Sequence, residues 1–310
     1  MKNVWETCKF SDEIISGDLS IGKFAVELYD ILDGTADKSY LNPEIFLDNT
    51  YVTDAIELVV INSLQKLAKN QGKAVDLLDV SFGGGKTHSV VLLYHIFKNK
   101  EIGTKFIIEN DIAKNYGIDE IPDVNVVAID CRQMKRETLW GEIADRVGKW
   151  DEFEKLDKEK KAPKDISQIK SFFDKPTLLM IDEVANYLVK AKQEGQTFVD
   201  ATLIFLNELV RAVNTVENSR LIVTTTADQK LLEDTAVKVK KAATLDTFGV
   251  TDELKEAVAS GSNPLVPVKK KDAYGVIRKR LVKQIDEKER DRIVDEYFTY
   301  YNDKGLITEQ

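Results

Sequence analysis

Apolar positions recur along this chain with two periods, and their alternation predicts the architecture. A helical spacing runs through 19–32 at Phe24, Leu28, Ile31 and Leu32, and Asp33-Gly34 stops it. A short helical turn follows at 43–49. From Thr53, a good helix cap, the same spacing continues to Lys69 through Ile56, Val59, Val60, Leu64 and Leu67, and Asn70-Gln71-Gly72 closes it. Residues 1–72 therefore read as a mainly helical segment packed on the core that follows.

Mostly apolar runs at 74–80, 124–129, 177–182 and 220–225 read as strands buried on both faces. Between them lie helical patterns at 86–98, 104–116 (Thr104 as cap, Gly117 at its end), 137–147 and 198–216, the last with Phe205, Leu206, Leu209 and Val213 inward. The charge-dense stretch 149–164 reads as a surface excursion with a helix at 151–160. Strands alternating with helices predict an α/β fold: a three-layer parallel sheet with helices on both faces and right-handed crossovers. Further on, 252–259 reads as a short helix and 265–268 as an edge strand. The stretches 272–287 and 290–302 read as helices, the second carrying Tyr297, Phe298, Tyr300 and Tyr301. The expected domains are the helical segment 1–72, the core 73–268 and the start of a helical lid, 269–310.

Two motifs stand at the ends of predicted strands. The first is Phe82-Gly83-Gly84-Gly85-Lys86-Thr87, between a strand and a helix. Glycines let backbone N–H groups curl around an anion, Lys86 reaches β/γ-phosphates, the Thr87 hydroxyl suits Mg²⁺, and the helix dipole points its positive end at the same phosphates. The general motif begins with a glycine six positions before the lysine, and here Val80 stands there, so the loop entry is built differently. The second motif is Thr177-Leu178-Leu179-Met180-Ile181-Asp182-Glu183, an apolar run ending in two carboxylates. Ligand chemistry collects at the carboxyl ends of parallel strands. Asp182 is expected to hold Mg²⁺ and Glu183 to orient the attacking water. The pair of motifs implies a nucleoside-triphosphate site with Mg²⁺; the base is not readable from them, and ATP is taken as the cofactor by default, since no guanine-selecting motif is evident.

The remaining candidates are weaker. Thr224, Thr225 and Thr226 end the fourth strand, expected beside the Asp182 strand, and Thr225 or Thr226 is the choice for a group sensing the γ-phosphate or the water. His88 is a candidate phosphate contact, with packing against a neighbouring strand as the competing reading. Asp130, Cys131 and Arg132 follow the second strand, where they line the cleft. Arg278 and Arg280 on the lid are candidates to touch the γ-phosphate from above. No arginine lies between Arg220 and Arg278, which leaves only lysines such as Lys240 and Lys241 where a finger from a neighbouring subunit would sit.

Composition narrows the class. The 310 residues are 43% hydrophobic and 31% charged, with a formal net charge of −9, which excludes a strongly basic nucleic-acid-coating protein as a whole-chain description. A basic cluster at Lys269–Lys271, Arg278–Arg280 and Lys283 reads either as a phosphate or nucleic-acid contact or as a solvated helix face. No apolar run reaches the roughly 18 residues of a membrane helix, and the N-terminus lacks a secretory core. With two cysteines, Cys8 and Cys131, without metal spacing, the chain is expected to be cytoplasmic and reduced. His88 and His95 are the only histidines, so a His-based zinc site or catalytic triad is not expected.

Several strings together carry a family resemblance: Asn49-Thr50-Tyr51-Val52-Thr53, the glycine loop with His88 and Leu93-Tyr94-His95, Thr138-Leu139-Trp140-Gly141-Glu142-Ile143-Ala144, Ile181-Asp182-Glu183 with Tyr187, and Val276-Ile277-Arg278-Lys279-Arg280-Leu281. They resemble the ATPase region of the domain of unknown function 499 (DUF499) family, AAA+-like P-loop ATPases of bacteria and archaea, over about 15–300. The strand order and the acid after Asp182 likewise resemble the P-loop division with a catalytic glutamate. The resemblance implies Mg²⁺-dependent ATP hydrolysis in a DNA-linked defence or restriction setting, with DNA, DNA-modification proteins or further copies of the chain as partners and no membrane. Two rivals stand beside that expectation: a nucleotide-gated interaction module and a DNA-translocating motor subunit.

Overall fold

The computed structural model describes residues 7–17, 27–79, 85–225, 268 and 270–305. The chain divides into two units, Val26–Asp48 with Val52–Lys269, and Met1–Ala25 with Asn49–Tyr51 and Lys270–Gln310. This division cuts across the three expected segments: 52–72 groups with the sheet, and 1–25 groups with the tail.

The strands are β1 (Cys8–Phe10), β2 (Val75–Asp79), β3 (Asn125–Asp130), β4 (Thr177–Asp182), β5 (Arg220–Thr225) and β6 (Val282–Ile285). In the larger unit, four parallel strands run in the order β2-β5-β4-β3. The strand before the glycine loop thus pairs with β5, and β5 pairs with the strand that ends at Asp182. Side chains alternate between two cores, one on each face of the sheet. Leu78, Ala128, Leu178, Met180 and Ile222 pack with the helices Asp54–Lys69 and Lys86–Lys98. Leu77, Val127, Ile129, Leu179, Ile181, Leu221 and Val223 pack with Leu139–Arg146, Val184–Glu194 and Gln196–Thr215. Both faces being covered, the strands are mostly apolar.

Local chemistry sets the helix ends. The Thr53 hydroxyl accepts from Ile56 N at 3.1 Å, and Asn70 closes the same helix in the left-handed region, as its sequence predicts. Thr138 caps Leu139–Arg146 by accepting from Gly141 N at 3.0 Å. The helix predicted over 104–116 instead runs Lys100–Glu109, followed by a 3-10 turn at Lys114–Tyr116. Thr104 lies inside it, and its hydroxyl accepts from Ile121 N at 3.1 Å, so tertiary pairing replaces the expected cap.

The smaller unit corrects two expectations. Cys8–Phe10, within the stretch read as helical, is a strand, and the helix predicted over 272–287 stops at Leu281. Val282–Ile285 pairs antiparallel with Cys8–Phe10, Cys8 opposite Ile285. Ser11 N donates to Leu281 O and Asp286 N to Thr7 O, both at 2.9 Å, which ties down both ends of the short ladder. A partner more than 270 positions away in sequence is invisible to local periodicity. The helix Glu287–Asp303 follows, capped by Asp286. The short helix and edge strand expected at 252–259 and 265–268 lie, apart from Val268, outside the described residues. No helix among the described residues is long and apolar enough to cross a membrane.

Candidate functional site

The carboxyl ends of β2, β4 and β5 gather the chemistry of the larger unit. Gly85 adopts φ 79°, a left-handed conformation that favours glycine, and opens the helix Lys86–Lys98. Ser89 donates to its carbonyl from both the amide and the hydroxyl, at 2.9 and 2.8 Å, and pins the helix start. Lys86 is buried in this first turn. Thr87 Oγ1 donates to Asp182 Oδ2 at 3.1 Å, across 95 positions of sequence.

The Asp182 carboxylate is fully buried, and its two donors among the described residues are both hydroxyls, Thr87 on one oxygen and Thr224 on the other. Burial pushes its pKa up to about 6, the Glu183 and Asp130 charges add to the rise, and the Thr224 and Thr87 hydrogen bonds pull against it. Asp130, opposite Asp182 in the β3–β4 register, is the contrasting case. It accepts from Arg132 Nε at 3.0 Å, Arg132 Nη2 at 2.7 Å, Arg132 N at 2.9 Å and Tyr29 N at 3.2 Å. Burial pulls the Arg132 guanidinium down, and its bonds to Asp130 more than offset this, leaving it above its ordinary range. One acid of the rim is therefore neutralised by an arginine, whereas the other has the donor set and the deficit of positive charge that suit a hard divalent cation. Among the described residues no group of three or more His, Cys, Asp or Glu could hold a metal ion without help from other ligands.

Glu183 starts the helix Val184–Glu194 at φ 60°, ψ 42°, a strained conformation for a residue with a Cβ. Its amide donates to Thr224 Oγ1 at 3.0 Å, and its Oε2 accepts from Asn186 Nδ2 at 2.7 Å. Thr224 thus links the two consecutive acids. The three threonines differ by strand parity. Ile181 pairs with Val223, so Asp182 lies beside Thr224 on the same face, whereas Thr225 alternates to the other. Thr225 is fully buried, and its hydroxyl has no hydrogen-bond partner among the described residues. Thr224, which sequence reasoning passed over, was recoverable by counting parity from the Asp182 strand. Asn186 had no such signal.

The other candidates lie as follows. His88 packs its ring on Phe46, centroids 4.7 Å apart, and Phe46 belongs to the helix Pro43–Asp48 and not to a neighbouring strand. Cys131 is buried behind the rim, its amide donating to Asp182 O at 3.0 Å. Val80, Phe82, Gly83, Gly84 and Thr226 lie outside the described residues. Arg278 belongs to the smaller unit, where its guanidinium is 3.9 Å from the Glu287 carboxylate.

The 138–144 string and Tyr187 form the frame of the loop that follows β3. Glu142, fully buried, accepts from Lys135 N, Arg136 N and Arg146 Nε at 2.8, 3.0 and 3.0 Å. Asp157 accepts from Thr138 N and Oγ1 at 2.8 and 2.6 Å. Gly141 faces that carboxylate so closely that a Cβ would sit 2.0 Å from Asp157 Oδ1. The Tyr187 hydroxyl accepts from Leu139 N at 3.1 Å and joins the loop to the helix that begins at Glu183.

The family model of the DUF499 N-terminal domain matches residues 9–259. Among solved structures, AMPPCP-bound DnaA from Aquifex aeolicus is similar at 15% identity and a TM-score of 0.29, with 82% of this chain and 64% of that chain covered. This chain thus spans less than two thirds of that protein's length. No curated protein matches.

Proposed function

We propose that this chain, which belongs to the DUF499 family, is a Mg²⁺-dependent ATPase of the AAA+-like P-loop type. The observation that carries the reading is the meeting of Thr87 and Asp182: the residue after the loop lysine and the acid ending an apolar strand stand 3.1 Å apart. The sheet order supports it too, since β5 lies between the loop strand and the Asp182 strand, the neighbour relation expected of the catalytic-glutamate division.

Each residue has a separate task. Lys86 and the backbone of 83–86 hold the phosphates. Thr87 and Asp182 would hold Mg²⁺, Asp182 directly or through water, and the ion would supply positive charge against the charge that develops on the phosphates. The Thr87 hydroxyl can do this with a lone pair while its proton stays directed at Asp182, and the Asp182 carboxyl must stay ionised against its burial. Glu183 orients and polarises the attacking water. Thr224 holds the two acids in relation to each other. Catalysis is then mainly positioning and charge stabilisation.

The family resemblance extends the proposal to a cytoplasmic, DNA-linked defence or restriction setting, with DNA, DNA-modification proteins or further copies of the chain as partners. The expected domain reading, with a helical lid from 269, remains part of this proposal. A second reading, a nucleotide-gated interaction module that hydrolyses slowly, is favoured by Val80 at the first glycine position and by the lack of arginines between Arg220 and Arg278. A DNA-translocating motor is disfavoured by the net charge of −9.

The test is ATP binding and steady-state hydrolysis by the full chain, with and without DNA, over a range of protein concentrations. Glu183→Gln is expected to bind ATP and not turn it over, and Lys86→Ala to lose binding. Turnover by Glu183→Gln equal to the wild type would refute the assignment. A wild-type rate below about one per hour in every condition favours the interaction module.

A further inference from the structure

Glu183 is held at two points, and the second is provided by a residue outside both motifs. Thr224 takes its amide at 3.0 Å and so sets where the backbone leaves β4. Asn186 Nδ2 donates to its carboxylate at 2.7 Å. Asn186 is itself fixed: its amide donates to Glu183 O at 3.0 Å, and the flanking Ala185 and Tyr187 are buried in the core of the larger unit. Its backbone is therefore placed by the core, and its side-chain amide offers the carboxylate a donor from that fixed point. The residue type suits this task. An amide donates a hydrogen bond without adding charge, whereas an ammonium would neutralise the carboxylate and a second acid would repel it.

Resting on the ATPase reading above, we infer that Asn186 is a positioning residue for Glu183, confining the water-orienting carboxylate to one orientation. A glutamate side chain has three rotatable bonds, and a group that must align a water within a fraction of an ångström gains from a fixed donor beside it. The backbone at Glu183, directly after Asp182, lies in the left-handed region, a strained conformation of the kind that functional sites hold. The competing role for Asn186 is that of a helix cap alone, which would affect stability and leave turnover untouched.

The experiment compares Asn186→Ala, Asn186→Gln and Glu183→Gln in the full chain, by steady-state kinetics and by binding of a non-hydrolysable ATP analogue. Asn186→Ala is expected to bind the analogue like the wild type, keep KM for ATP within about twofold and lose about tenfold in kcat. Asn186→Gln retains an amide donor and should recover most of that loss. In the nucleotide-free protein, the side-chain amide resonance of Asn186 should shift when Glu183 becomes Ala. Wild-type kcat in Asn186→Ala, beside an inactive Glu183→Gln, overturns the inference and leaves the ATPase reading standing. Wild-type kcat in Glu183→Gln overturns the assignment of Glu183 and the inference with it, whereas no ATP turnover by the wild type in any condition overturns the ATPase reading.

Discussion

Thr224 and Asp182, 42 positions apart, are joined through the threonine hydroxyl, which donates to the Asp182 carboxylate while accepting from the Glu183 amide. One small side chain on β5 therefore sets the relation between two consecutive acids on β4. Its neighbour Thr225, equally buried, has a hydroxyl with no partner among the described residues.

That contrast predicts opposite outcomes for the same substitution. Thr224→Val leaves a buried carboxylate and a buried amide short of a partner and should cost about 1–3 kcal/mol of stability. Thr225→Val replaces an unpartnered hydroxyl with a methyl of the same shape and should be neutral or stabilising. Urea unfolding of both variants checks this. Equal losses from the two would count against the parity argument.

At the opposite end of the sheet, Arg220 and Asp76 form an ion pair with both side chains buried. Arg220 also donates to Lys73 O. Burial pulls its pKa down, and Asp76 opposes the fall. Arg220→Met leaves Asp76 as an uncompensated buried charge and is expected to cost about 3–5 kcal/mol, much of it recovered in the Arg220→Met, Asp76→Leu pair. A double-mutant cycle in denaturant measures it. Additive losses would mean that the two charges do not stabilise each other.

His95 gives stability a dependence on pH. Its Nε2 donates to Tyr40 O at 2.8 Å, and its ring stands 5.1 Å from that of Phe46. Burial lowers its pKa, and the bond to Tyr40 opposes the fall. Below about 6.5, the ordinary histidine value, the unfolded chain takes up a proton more readily than the folded one, so stability falls as pH drops. Melting temperatures from pH 8 to 5 should show this decline, and His95→Gln should flatten it. An unchanged slope in that variant would place the titrating group elsewhere.

Much of the fold was legible because it rests on local chemistry and period. The helix Asp54–Lys69 carries its own stripe and its own Thr53 cap, and the strands β2 to β5 are mostly apolar, with polar positions such as Asp76 and Arg220. The expected pairing of the Asp182 strand with the threonine-ended strand is also present. What escaped depended on distant partners. Thr104 reads as a cap until Ile121 N takes its hydroxyl, and 282–285 reads as helix until Cys8–Phe10 supplies a ladder.

By itself the chain determined which residues are the candidates for phosphate chemistry, because a glycine-rich turn, a lysine, a hydroxyl and two acids at strand ends are chemical identities that folding does not change. Only the tertiary structure decided which of them meet. Pleat parity and register chose Thr224 over Thr225, an arginine two residues away neutralised Asp130, and burial left Asp182 with two hydroxyls for company. These are matters of direction and distance in three dimensions, and residue order carries them only through the packing it produces.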